Sequence, residues 1–395
     1  MAFRNLRWAV LPALAVLLTA CPEAPKAPEK PTPPLDEEPP PPKPTGEVPK
    51  KKEPEKLKSG THATIAERKN NNDSWDRGMV VAGGKLFVMT NVNSWKGGTM
   101  YVPAARLWSA PVNGGELTKL MDLEGYAALA ADDSSLYVAV NRDLSLTGTP
   151  KQNTPSGRII KMPLGGGAPT DLAKGIEPRV MGIDGDTLWF DGMKMPKDGS
   201  KPPSPSGVKS PMTIAFDAEY VYFTQGKGGS GEATKPDGKN GRLLRMKKSG
   251  GPSSPPTVLA KDLPDEPGGL ALDGTHVYVS AVAWSSPAFE KAGVIARVAK
   301  EGGNLEVLAK DQPSVRGAWL GTDHVYVVSG RGGRPCNVLK VAKAGGAVET
   351  AISDSTLEHA TADDTSIYFS SDGTFKDQGA GGDRLSNPIL VRYVR

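Results

Sequence analysis

The sequence predicts an all-β chain folded as a β-propeller, a ring of seven four-stranded blades with the third one degenerate. Three observations lead there. First, a short unit recurs down the chain: an apolar residue, an aromatic and a β-branched or aromatic residue. Its seven copies are Leu86-Phe87-Val88, Leu136-Tyr137-Val138, Leu188-Trp189-Phe190, Val221-Tyr222-Phe223, Val277-Tyr278-Val279, Val325-Tyr326-Val327 and Ile367-Tyr368-Phe369. The aromatics stand 42 to 56 residues apart, with one shorter step of 33. Second, most copies follow an Asp five residues before the aromatic: Asp132, Asp184, Asp217, Asp273 and Asp363. Third, the two ends of the chain complement each other, as set out below. Six blades is the alternative, with the short third unit as an insertion.

Composition agrees with turn-rich β architecture. The 395 residues include 46 Gly and 36 Pro, and a propeller fills this length as one domain. A net charge of +4 with no basic block inside the repeats gives no footprint for nucleic acid.

In chain order, Arg4 and Arg7 form a positive start, and Trp8 to Thr19 is an apolar run too short to span a bilayer. It leads into Leu18-Thr19-Ala20-Cys21. That tetrad resembles the bacterial lipobox. The resemblance implies cleavage before Cys21, acylation of Cys21 and firm anchoring by several acyl chains. Pro22 follows the Cys where inner-membrane lipoproteins usually carry Asp, so the resemblance implies an outer-membrane anchor, facing either the periplasm or the cell surface. Residues 1–20 are then a signal peptide, and residues 21–60 are the lipidated Cys and a tether. The tether is rich in Pro, Glu and Lys and has too few apolar side chains to offset the entropy of ordering. Extended, it reaches roughly 110 Å at about 3.1 Å per residue. With Cys21 processed, Cys336 stands alone and no intramolecular disulfide is available.

Residues 61–395 hold the repeats. Each full unit reads as two hairpins. The second hairpin opens with alternating residues and turns at Gly-Gly, as in Arg106 to Gly115, Arg158 to Gly167, Arg242 to Gly251, Val294 to Gly303 and Val338 to Gly346. A fourth strand closes most units: Asp171-Leu172-Ala173-Lys174, Val258-Leu259-Ala260-Lys261 and Val307-Leu308-Ala309-Lys310. The third unit has room only for a reduced hairpin at Met193 to Pro196, with loop from Pro196 to Pro211. The last unit stops at its third strand, Ile389 to Val394. Its missing fourth strand is supplied by Thr64-Ile65-Ala66-Glu67, which would close the ring and cover an open edge.

The turns within hairpins are short and the connections from second to third strands are long. The long ones are Asn91 to Ala104, Asn141 to Ser156, Gly226 to Asn240, Ala281 to Ala292 and Asp372 to Ser386. Long loops on a rigid scaffold are where binding groups lie. Ten residues before the aromatic, where a channel mouth is expected, stand Arg77, Arg179 and Arg316, with Glu358 and His359 in the last unit. Three guanidinium groups around one mouth suit a carboxylate or phosphate. Pairing with Asp76, Glu177 or Glu358 is the plainer use of the same arginines.

No catalytic constellation, metal-ligand set or cofactor motif is read from the chain. His276 and His324 share one slot of the repeat. Gly226-Lys227-Gly228-Gly229-Ser230-Gly231 fits GxGxxG, but no helix follows it. Cys336 opens a third strand, as a small packed residue does.

The Asp-x-x-x-Val-Tyr-Phe, Pro-x-Gly-Gly and Val-Leu-Ala-Lys signatures resemble those of bacterial propeller lipoproteins with TolB-like and NHL-like repeats. The resemblance covers about residues 61 to 395 and specifies blades, not a chemistry. It implies a cell-envelope protein, membrane-bound by its lipid, whose propeller binds a protein, peptide or glycan at the long-loop face without catalysis. Virginiamycin B lyase is a distant resemblance in shape, and the positions of its metal, His and acids do not map onto this sequence by the repeat pattern. A lyase or hydrolase working at the channel mouth is the alternative function.

Overall fold

The computed structural model describes residues 58–67, 73–92, 94–96, 99–101, 105–123, 128–140, 157–227, 237–283, 291–330, 336–354, 357, 359–371 and 389–395. All lie in the unit Glu53–Arg395. Among them, every extended regular element is a strand, and seven four-stranded antiparallel sheets form seven blades.

From the inner strand outward, blade 1 is Asp73–Ala82, Lys85–Val92, Ala105–Pro111 and Thr118–Leu123. Blade 2 is Leu129–Ala131, Ser135–Val140, Arg158–Pro163 and Thr170–Lys174. Blade 3 is Met181–Asp184, Thr187–Phe190, Met193–Pro196 and Ser204–Pro205. Blade 4 is Thr213–Phe216, Tyr220–Gln225, Gly241–Lys247 and Thr257–Leu263. Blade 5 is Glu266–Leu272, His276–Val282, Gly293–Ala299 and Glu306–Gln312. Blade 6 is Val315–Leu320, His324–Ser329, Cys336–Ala342 and Glu349–Asp354. Blade 7 is Ala360–Ala362, Ser366–Ser371 and Ile389–Val394, completed by His62–Glu67. A separate two-stranded ribbon, Ser94–Lys96 with Thr99–Tyr101, rises from the blade 1 connection.

The ring closes as the sequence implies. His62 pairs with Tyr393 and Glu67 with Ile389, so the start of the domain is the outer strand of its last blade. Blade 3 is degenerate but present, which settles the count at seven. One detail of the sequence reading is corrected. The run from Pro196 to Pro211 is not all loop, because Ser204 and Pro205 pair with Lys194 and Met193. Pro205 has no N–H to give, so the blade ends there.

The buried residues fall into seven clusters, one at each seam between neighbouring blades. The second strands explain why. Successive side chains on a strand point to opposite faces. Leu136 and Val138 pack toward blade 1, while Tyr137 and Ala139 pack toward blade 3. Both faces are covered, so these strands read as continuous apolar runs. The seam between blades 3 and 4 is the thinnest. Blade 3 contributes one buried residue to it, Trp189, against Val208, Val221, Phe223, Leu244 and Met246.

The recurrent Asp now has a physical reason. In blades 2, 4, 5 and 7 its Oδ1 accepts the backbone N–H groups of the turn, and its Oδ2 accepts the hydroxyl of the Tyr five residues on. The hydroxyl distances are 3.1 Å for Tyr137 to Asp132, 2.8 Å for Tyr222 to Asp217, 2.8 Å for Tyr278 to Asp273 and 2.7 Å for Tyr368 to Asp363. Burial works to raise the Asp217 carboxyl, but the N–H of Tyr220, the Tyr222 hydroxyl and Lys300 outweigh it and hold the group at about 2. Asp273 is held at about 2 in the same way. Burial and the Asp partner push the Tyr278 and Tyr368 hydroxyls up to about 12.

A lysine from the following blade joins each of four seams. It is the first residue after the third strand: Lys197 on Asp132 (3.1 Å), Lys248 on Asp184 (2.7 Å), Lys300 on Asp217 (3.1 Å) and Lys343 on Asp273 (3.8 Å). Where blade 6 carries Gly321 in place of the Asp, Arg395 fills the slot and donates to the carbonyl oxygens of Leu320 and Asp363. The turns of one face are thereby stitched blade to blade.

Candidate functional site

The opposite face carries the connections from second to third strands. Most of the long loops read from the sequence lie outside the described residues. Blade 3 is the exception, because its connection is only Asp191-Gly192 between the paired Phe190 and Met193. Both turn residues have positive φ, 34° and 85°. That is the geometry of a two-residue hairpin that an Asp-Gly pair favours. The dipeptide between two apolar runs was the available signal, and the sequence reading passed over it.

The missing loop leaves a notch between blades 3 and 4. It is a cavity of about 840 Å3 lined by Arg179, Val180, Asp191, Ser210, Pro211, Met212, Gly226 and Lys227. Its walls are the approaches to two inner strands, the blade 3 turn and the end of the second strand of blade 4. Asp191 organises one wall. Its carboxylate accepts the backbone N–H of Arg179 at 2.7 Å and of Val180 at 3.2 Å. Burial raises the Asp191 carboxyl above its ordinary range, against the opposing pull of those two N–H groups and of the Arg179 charge. Ser210, on the other wall, also has positive φ at 44°. A non-glycine residue held there costs about 1 kcal/mol or more and persists only where its surroundings fix it. Met212 is one of the few exposed large apolar side chains among the described residues, at 37%. Met212 borders the same blade 4 hairpin as Gly226, its N–H donating to the Thr224 carbonyl oxygen at 2.9 Å. A Cβ at Gly226 would meet the Asp265 carbonyl oxygen at 2.6 Å, so this close approach of backbone requires glycine.

Of the three arginines of the expected channel mouth, Arg179 and Arg316 sit at or before the start of an inner strand, whereas Arg77 lies within one. Arg179 precedes Met181–Asp184 and is exposed at the rim of the notch. Arg316 is the second residue of Val315–Leu320 and is half-buried. Its Nη2 donates across the seam to the Leu357 carbonyl oxygen at 3.4 Å. The backbone of Arg77 lies at a register shift in Asp73–Ala82. His359 is half-buried just before Ala360–Ala362, and its carbonyl oxygen accepts the Ser370 N–H at 3.2 Å. Glu358 lies outside the described residues, as does Cys21. Glu177, the acid next to Arg179 in sequence, keeps Oε1 buried without a hydrogen bond. The charge of Arg179 acts on the carboxyl of Asp191. Sequence reasoning thus placed Arg179 at the expected mouth and Gly226 and Lys227 in a long connection, left Met212, ten residues before Tyr222 in the same slot as Arg179, without a role, and missed Asp191.

His276 and His324 open second strands and lie against the Tyr two residues on, with ring centroids 6.2 and 6.4 Å apart. Cys336 opens a third strand and is fully buried. Among the described residues no three His, Cys, Asp or Glu gather as a metal site, and no helix is long and apolar enough to cross a membrane.

No family model and no curated protein matches the chain. Among solved structures it is similar to the computationally designed Ika8 protein, at 10% identity over 78% of this chain and 84% of that one, TM-score 0.45. A puromycin-hydrolysing peptidase of Mycobacterium tuberculosis is similar at 13% identity, over 75% of this chain and 50% of that one, TM-score 0.48. An acylaminoacyl peptidase of Pyrococcus horikoshii is similar at 10% identity, over 76% and 48%, TM-score 0.49. The chain spans about half the length of these two peptidases.

Proposed function

We propose that the chain is a lipid-anchored protein of the cell envelope whose propeller binds a protein, peptide or glycan at its long-loop face, without catalysis. Cys21 carries the anchor, residues 22–60 are the tether, and the outer membrane is the destination. The observation that carries the binding reading is the inequality of the two faces. One has short turns stitched by Asp, Tyr and Lys. The other has connections of unequal length, interrupted by a notch with charged walls. Uniformity serves the ring, whereas irregular loops on a rigid ring serve recognition.

The test uses cells making the full chain. With a clickable palmitate analogue, the parent should be labelled and should fractionate with membranes. Cys21→Ser should lose the label and appear in the soluble fraction. Continued labelling of Cys21→Ser sinks the anchor. Crosslinking in the intact envelope should join the parent to a polypeptide or glycan through residues of the loop face, and crosslinks confined to the turn face would reverse the assignment of faces.

A further inference from the structure

We propose that the notch between blades 3 and 4 receives the carboxy terminus of a peptide. The terminal carboxylate lies against Arg179 and Lys227, and an apolar last side chain rests on Met212 and Val180. The inference rests on the loop face being the binding face and adds the ligand class and the residues.

Four features of the notch point to this ligand. Its charge is the first. Arg179 and Lys227 bring two positive charges, and Asp191 brings one negative charge. Both oxygens of Asp191 are engaged by backbone N–H groups of residues 179 and 180, so the carboxylate is fixed in the wall. A net charge of about +1 complements a monoanion. A phosphate, with about −1.5 to −2 at neutral pH, would face Asp191 with more charge than the cations match. A guanidinium also presents the fork that a carboxylate fills.

The second feature is the apolar surface beside the charge. Met212, 37% exposed, stands with Pro211 and Val180 on the same cavity. A thioether adapts its shape to different apolar partners. A carboxylate with an alkyl or aryl group next to it is the chemistry of a peptide's last residue. Size is the third feature. At about 840 Å3 the cavity falls in the range of about 300–1,000 Å3 for pockets that take ligands of a few residues' mass.

The fourth feature is the edge situation. The strand beside the notch, Tyr220–Gln225, is paired on both sides, to Thr213–Phe216 and Gly241–Lys247. The Lys227 N–H is taken by the Asp265 carbonyl oxygen at 3.0 Å. A peptide cannot add as a strand there. It has to be recognised end-on, through a terminal charge and the side chain beside it.

The test immobilises a pool of random hexapeptides by their N-termini, once with free carboxyl termini and once as C-terminal amides. Purified full-length mature protein is passed over both. The free-acid pool should retain it and the amide pool should not. Arg179→Gln and Lys227→Gln should each weaken retention about ten-fold, the loss expected for one charge-assisted contact. Lys310→Gln, on the exposed outer strand of blade 5, should change nothing. Equal retention by acid and amide pools, retention by neither, or undiminished retention of Arg179→Gln overturns the proposal. Envelope crosslinking of Arg179→Gln separates the two readings. If its loop-face crosslinks persist while the free-acid pool fails to retain the parent, the loop face stands as the binding face and the notch falls.

Discussion

Blade 3 and blade 5 come from the same repeat and solve their two ends differently. Blade 5 caps its inner turn with Asp273, whose Oδ1 takes the N–H groups of Thr275 and His276 at 2.9 and 2.8 Å and whose Oδ2 takes the Tyr278 hydroxyl. Blade 3 keeps the Asp, as Asp184, but its turn is Gly185-Asp186 with φ 54° at Gly185, and Trp189 replaces the Tyr. The side-chain hydrogen bond described for Asp184 comes from Lys248 at 2.7 Å, and Trp189 buries an Nε1 with no partner. At the other end, blade 5 runs a long connection from Val282 to Gly293, whereas blade 3 turns in two residues. Blade 5 completes a seven-residue outer strand, Glu306–Gln312, whereas blade 3 stops at Ser204–Pro205. The ring therefore accommodates, in one blade, loss of the cap, an outer strand cut to two residues and a two-residue connection, with the middle strands and the seam lysine kept.

The largest effect should come from breaking closure, because that opens blade 7 as blade 3 is not opened. The outer strand His62–Glu67 covers Ile389–Val394 and buries Ile65 and Ala66 against Leu86, Val88 and Ala110 of blade 1. Deleting residues 61–68 should expose a strand edge and promote aggregation, with the cooperative unfolding transition lost. Deleting residues 22–58 should leave the urea midpoint unchanged. Equal midpoints for the two deletions would show that the last blade does not depend on the strand from the other end.

An intermediate effect should separate the two kinds of turn. Asp273→Ala removes the acceptor for two backbone N–H groups, a half-buried Tyr hydroxyl and a lysine. It should cost about 2–3 kcal/mol by urea unfolding, the sum of a lost cap and a stranded hydroxyl. Asp184→Ala removes one ion pair with both partners partly exposed, 20% and 25%, and should cost about 1 kcal/mol or less. Equal costs would mean that the Asp–Tyr contact adds nothing to the blades that have it.

The same contrast shows what was legible in the sequence. The second strands were legible because burial on both faces leaves them apolar throughout, and the Asp–aromatic spacing was legible because one hydrogen bond fixes it. The closing strand was legible because Thr64-Ile65-Ala66-Glu67 repeats the outer-strand pattern of blades 4 and 5. The notch was not. Arg179 and Met212 could be placed by aligning the repeats, and Lys227 by the long connection it starts, but Asp191 joins them only because the blade 3 connection is a two-residue turn. A repeat pattern describes what recurs, and this site is built from what does not. The Asp–Lys seams were missed for a related reason. Lys197, Lys248, Lys300 and Lys343 are ordinary surface lysines until the neighbouring blade is in place.

The smallest effect expected is a pH dependence that belongs to the capped blades. Asp217 and Asp273 have folded values near 2, and Asp132 and Asp363 are also held below the ordinary carboxylate range. The unfolded value is about 3.9. A depressed folded value means that the unfolded chain takes up protons first. The contribution is therefore fully present above about pH 4 and is lost progressively as pH falls toward 2. A protonated Asp retains one oxygen to accept from the turn, so acid should weaken each cap less than Asp273→Ala does. Asp273→Asn isolates this term. Its amide oxygen can still accept from the turn, but the group no longer titrates. The variant should be less stable than the parent at pH 6, and the gap should narrow between pH 4 and pH 2 as the parent loses its advantage. A gap that stays constant across that interval, measured by urea unfolding at fixed ionic strength, would mean that the Asp273 cap is worth the same charged or neutral. The stitching of the turn face would then be a matter of shape and not of charge.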